Sequence, residues 1–244
     1  SCSLEKNTVH SFDERRALQA YYGSRDDSLY IDDLKSSDHF YEARDFLQGS
    51  YTDALELSRK EDKIIHLKSS GVSLYINYKE NRVYTNCRES LLRNVSFIKN
   101  TGADSFTVVP LNNYEHFESK RQQFSVYTLK RLLWSLSLWS SRGRLPVGVS
   151  GDAVVTLNRW PNFTRLDITP YAMQIVALWF NKPTSVNQTA IQLNVPYRAV
   201  YSVFSACYAH GLIVGLSSDE AQIVKETINI KQKVSLPKQL FRAI

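Results

Sequence analysis

Apolar residues recur along this chain with two different periods, and the change from one to the other outlines its elements. From Ser37 to Glu61, Phe40, Ala43, Phe46, Leu47 and Leu55 fall at helical spacing, with Gly49-Ser50 as a break, which predicts one or two helices. Ile64, Ile65 and Leu67, then Val72, Leu74, Ile76 and Tyr78, alternate as half-buried strands do. Residues Lys79 to Arg82 make a turn into a further strand, Val83 to Thr85. Ser96 to Lys99 and Phe106 to Val109 flank the turn residues Asn100 to Asp104 and predict another strand pair. The sum is a small mixed or antiparallel sheet.

Tyr114 to Ser141 carries the strongest helical pattern, with Leu129, Leu132, Leu133, Leu136 and Trp139 or Ser140 on one stripe and Gly143 beyond its end. Loop-like residues lead to a short strand, Ala153 to Leu157, and a domain boundary is expected here. Residues 1–35 are polar and irregular, with acidic pairs at Asp26-Asp27 and Asp32-Asp33. The organisation read from the pattern is α+β: an N-terminal arm over 1–35, a sensing or dimerisation domain over 36–145, and a helical domain over 146–244.

The helical domain has sharp local punctuation. Thr169-Pro170 suits a helix start, and Ala172, Ile175, Val176, Leu178 and Trp179 give that helix an apolar face before Asn181-Lys182-Pro183 stops it. Ser185 to Gln188 fits a capping box, opening a second helix that buries Val186, Ala190 and Leu193. Proline disfavours the helical conformation in the residue before it, so the chain turns at Val195 and restarts at Pro196. A third helix puts Val200, Val203, Phe204 and Cys207 inside and ends at Gly211. Leu212 to Leu216 and Ala221 to Ile230, joined by a Ser-Ser-Asp-Glu turn, suit a hairpin.

The run Thr184 to Pro196, with Val200 and Gly211 to Ile213, resembles the winged helix-turn-helix domains of bacterial regulators over about sixty residues. The resemblance implies that the third helix enters a DNA major groove, and by position it assigns base-reading to Tyr197, Arg198, Tyr201, Ser202 and Ser205. That helix carries one Arg and no Lys, Asn or Gln, whereas Tyr197, Tyr201 and Tyr208 suit a protein interface. Duplex DNA and a protein partner both stay open.

Charge sharpens the contrast between the two ends. The net charge is +6, yet residues 1–58 hold six basic and twelve acidic side chains while residues 59–244 hold twenty-four and twelve, so a polyanion is drawn to the later part. Lys130 and Arg131 on the long helix are candidate phosphate contacts. Trp139, Arg142, Arg144, Arg159, Trp160 and Arg165 lie close in sequence; guanidinium forks and indole faces could hold a nucleotide such as a cyclic dinucleotide.

Other classes find little support. Phosphate-loop, dinucleotide-binding and zinc-protease motifs are missing, and Gly148 to Gly151 lacks nucleophile-elbow spacing, so neither catalytic residues nor a cofactor is expected. Cys2, Cys87 and Cys207 are too far apart for a metal or disulfide framework. No apolar run reaches bilayer length and the first ten residues lack a signal core, so a cytoplasmic location is expected. The resulting expectation is a bacterial regulator whose winged helix binds duplex DNA. Its rival is a signalling adaptor whose winged helix binds protein, under control of a nucleotide at the Trp and Arg positions. Either form is compatible with a homodimer.

Overall fold

The computed structural model describes residues 21, 39–69, 71–101 and 105–214. All of the arm expected over 1–35 except Tyr21, and the return strand expected over 221–230, lie outside them.

Helix α1, Leu47–Glu61, buries Leu47, Tyr51, Ala54 and Ser58, which recur at i, i+4, i+7 and i+11 and so share one face. It runs straight through Gly49-Ser50, where a break was expected. A Cβ on Gly49 would meet the Arg44 Cα at 2.5 Å, so the glycine serves close approach of the preceding short 3-10 turn, Ala43–Asp45. Asp62 ends the helix in the left-handed conformation.

The sheet is antiparallel. Strands β2 (Ile65–Ser69), β3 (Val72–Asn77) and β4 (Arg82–Thr85) form a meander, flanked by β5 (Thr107–Pro110) beside β2 and β6 (Ser125–Tyr127) beside β4. Register pairs Ile65 with Ile76 and Leu67 with Leu74, placing these on one buried face with Val72 and Val83. On the other face Tyr75 stacks on His66 at 4.4 Å between centroids and meets Phe117 and Phe124. Phe117 belongs to α3, Tyr114–Lys120, which covers that side.

Two expectations are corrected here. Residues 96–99 are not a strand: Glu89–Ser96 is helix α2, and Ser96 to Lys99 is its end and the turn after it. Tyr114 to Ser141 is not one helix, because β6 pairs with β4 in its middle; Thr128 then caps a separate helix α4, Leu129–Ser141, by accepting from the Arg131 amide at 3.3 Å. Strand pairing overrides a sequence pattern that reads as continuous helix.

Helix α4 is the centre of the molecule. Ten of its residues are buried, on every side. One side meets α1, α2 and β4, with the Tyr51 hydroxyl donating to the Leu129 carbonyl at 3.0 Å. The other side packs against α7 (Tyr197–Ala209), which with α5 (Ala172–Asn181) and α6 (Val186–Leu193) makes a three-helix unit. The core therefore crosses position 145 without a gap, and the short strands β1 (Phe40–Tyr41) and β7 (Leu145–Pro146) pair across it in parallel.

A second antiparallel sheet borders the three helices, in the order β10 (Ile213–Val214), β8 (Val154–Leu157), β9 (Thr184–Ser185). Its middle strand precedes the helices in the chain.

A close joint lies at the end of α4. Arg142 and Gly143 both have positive φ, 45° and 78°, and the Gly143 amide donates to Ser202 Oγ at 2.9 Å. A Cβ on Gly143 would meet Arg198 Cβ at 2.6 Å, whereas one on Gly71, also at φ 78°, would meet nothing within 4 Å. Gly71→Ala is expected to cost about 1 kcal/mol from left-handed strain, and Gly143→Ala about 2–4 kcal/mol because overpacking is added. Urea titrations followed by tryptophan fluorescence compare the two; equal costs would refute the close approach.

Candidate functional site

The helix-turn-helix elements form for the local reasons the sequence carries. Ser185 Oγ accepts from the Gln188 amide at 3.2 Å and caps α6; Asn194, left-handed at φ 51°, ends it; Pro196 then opens α7. Gly211, at φ 60°, closes α7, and the Leu212 amide returns to the Cys207 carbonyl at 3.0 Å. The start of α5 is shifted from expectation. Thr169 makes no cap; the chain turns through Pro170 and left-handed Tyr171, and helix begins at Ala172.

Three of the five α7 positions assigned to base-reading, Tyr201, Ser202 and Ser205, are buried. Nine consecutive residues, Ala199 to Cys207, are buried. Tyr201 is 2% exposed and its hydroxyl donates to Asn187 Oδ1 at 2.8 Å. Ser202 receives the Gly143 amide, and Ser205 Oγ donates to the Arg144 carbonyl at 3.1 Å. Tyr197 and Arg198 are half-buried, Tyr197 against Tyr201 and Arg198 against Gly143. The cause is α4, which lies along the face that would have entered a groove. Burial pushes the Tyr201 phenol and the Cys207 thiol well above their ordinary values.

Of the two phosphate candidates, Lys130 is exposed. Arg131 pairs with Asp167 at 3.4 Å and lies over the Tyr127 ring.

The Trp and Arg residues form two groups. At the C-terminal end of α4, Trp139 is buried beneath Arg93, Arg142 lies over Phe97 at 4.4 Å, and Arg144 donates to the Ser140 and Ser141 carbonyls at 2.8 and 2.9 Å. Arg144 also borders a cavity of about 540 Å³ with Tyr41, Phe46, Lys99 and Val149 on its walls. Arg159, Trp160 and Arg165 instead sit exposed in the loop before α5. This loop reaches α4 at Trp134, eight residues or about 12 Å of helix from Arg142.

The loop joins a ladder of edge-on aromatic contacts that the sequence reading missed. Phe180 meets Trp160 at 5.7 Å, Trp160 meets Phe163 at 6.3 Å, Phe163 meets Trp134 at 6.0 Å, and Trp134 meets His210 at 5.3 Å. Asp167 locks the base of the ladder, with its carbonyl accepting from Trp134 Nε1 at 2.9 Å and its carboxylate from Ser135 Oγ at 2.5 Å. Its outer end is open: Trp160 is 41% exposed, and Met173 and Phe180 on α5 are each 47% exposed. A signal was present. Eight of the ten residues of α5 are apolar, more than one buried face can use.

Charge over the later part of the described chain is one-sided. Residues 129–214 hold eight basic and two acidic side chains, whereas residues 39–128 hold twelve and eleven. Among the described residues no helix is long and apolar enough to cross a membrane, and no group of three His, Cys, Asp or Glu side chains could hold a metal ion. Comparison with known protein families, with curated proteins and with solved structures gives no match.

His210 ends the ladder with Nε2 facing the Lys130 carbonyl at 2.9 Å and Nδ1 facing the Ala206 carbonyl at 3.1 Å. Burial lowers its pKa; the two carbonyls oppose this, and Lys130 and Arg159 add to it. His66 is lowered too, by burial and by Lys68. The unfolded chain therefore binds more protons than the folded one below the ordinary histidine value of about 6.5, so stability is full above that value and is lost as pH falls through it. Unfolding free energy measured against pH is expected to decline below about 6.5, and His210→Gln to flatten the decline. An unchanged slope would exclude His210 as its source.

Proposed function

We propose that this chain is a regulatory adaptor that binds a partner protein, with its helix-turn-helix half acting as the scaffold for an interaction face on α5. The observation that carries this reading is the exchange of roles between two helices. The helix assigned to DNA is buried along nine consecutive residues, while the most apolar helix turns Met173 and Phe180 to solvent beside Trp160. An exposed apolar patch on a folded domain marks an interaction site, and Trp, Phe, Met and Arg are the types enriched there.

Duplex DNA remains the second reading, favoured by the excess of basic residues over 129–214. Such binding would rest on phosphate contacts from residues such as Lys130, because Tyr201, Ser202 and Ser205 of α7 are buried. The two readings separate by mutation. The adaptor reading expects Met173→Asp with Phe180→Asp to abolish partner capture from the native host, and Arg198→Ala and Tyr201→Phe to leave it intact. A duplex-DNA mobility shift at low salt that is lost in Lys130→Glu but kept in Met173→Asp with Phe180→Asp would overturn it.

A further inference from the structure

We infer that the exposed face of α5 receives an acidic, amphipathic helical segment of the partner; this rests on the adaptor reading above and adds the partner's chemistry to it. Met173 and Phe180 stand at i and i+7, with Ala177 half-buried between them, so they form one stripe two turns, or about 10 Å, long. Trp160 rises edge-on against Phe180 at one end of the stripe and is backed by Phe163. The result is an apolar strip with a step, the shape on which a helix lays residues at i, i+3, i+4 and i+7.

The rim decides what flanks those residues. Arg159 and Arg165 lie in the loop that carries Trp160, and Lys182 follows α5 directly. All three are exposed, and none makes an ion pair among the described residues. The two acidic residues of 129–214 are engaged elsewhere: Asp167 by Arg131 and Ser135, and Asp152 by Asn187 at 3.4 Å. A second copy of this chain would bring the same three cations against themselves, and like charges across an interface are unfavourable. A partner helix with Asp or Glu beside its apolar stripe meets both features at once.

The test uses the full chain and two synthetic helical peptides that share a Leu and Phe stripe, one flanked by Glu and the other by Lys, with binding read by fluorescence anisotropy. The Glu-flanked peptide is expected to bind about tenfold more tightly or better, and this margin to shrink as salt rises. Met173→Asp with Phe180→Asp should abolish binding. The triple change Arg159→Glu, Arg165→Glu and Lys182→Glu should reverse the preference; these positions are exposed, so circular dichroism should be unchanged.

Equal affinity for the two peptides, or none for the Glu-flanked one, overturns the inference; the adaptor reading falls separately, on the DNA result above. Sedimentation with phosphatidylserine vesicles without peptide binding overturns it in favour of a membrane surface. Dimerisation that Phe180→Asp abolishes overturns it in favour of a second copy.

Discussion

Gly143 has no side chain and a left-handed backbone, and this lets the end of α4 press on α7 closely enough for a backbone amide to reach Ser202 Oγ. Three residues on, Ser205 closes onto the Arg144 carbonyl. Buried backbone groups need partners, so these two serines complete the chain where α4 ends and let that end stay dry. With this joint made, α4 has protein on every side and the two halves of the molecule share one core.

The same joint governs what α7 can do. Helix-turn-helix geometry supplies a helix whose outer face is available only while nothing else packs on it. Here α4 lies along that face, so Tyr201, Ser202 and Ser205 are structural residues that hold helices together. Reading DNA with them would require α4 to leave, exposing Trp134 and Leu138 along with the inner side of α7. Losing several such side chains from the core costs on the order of 10 kcal/mol, comparable with the whole stability of a domain.

The sequence was legible where structure is set by residues close along the chain. Ser185, Pro196 and Gly211 act on amides and φ angles within a few positions, and each ends or starts a helix as expected. Alternation placed β2, β3 and β4 because one face of that sheet is buried along its length. What failed was non-local. β6 interrupts a helical pattern because β4 offers it a ladder, and Gly49 marks a contact with Arg44 where a helix end was read. The burial of Tyr201, Ser202 and Ser205 was unread for the same reason, although one clue was available: Ser202 and Ser205 face Ser141 and its neighbours, and small residues on both helices permit close packing.

The candidate face on α5 follows from that packing by subtraction. Because α4 and α7 bury one another, α5 needs only one side for the core, where Ala172, Ile175, Val176 and Trp179 sit, and its remaining apolar residues are left on the surface. They are not loosely held. Each edge-on ring contact contributes about 0.5–1.5 kcal/mol beyond burial, and the ladder from Phe180 through Trp160 and Phe163 to Trp134 ends on a hydrogen bond to Asp167. The exposed indole is therefore oriented before anything meets it. A side chain already fixed loses little rotamer entropy on docking, so most of the area it buries there counts toward affinity.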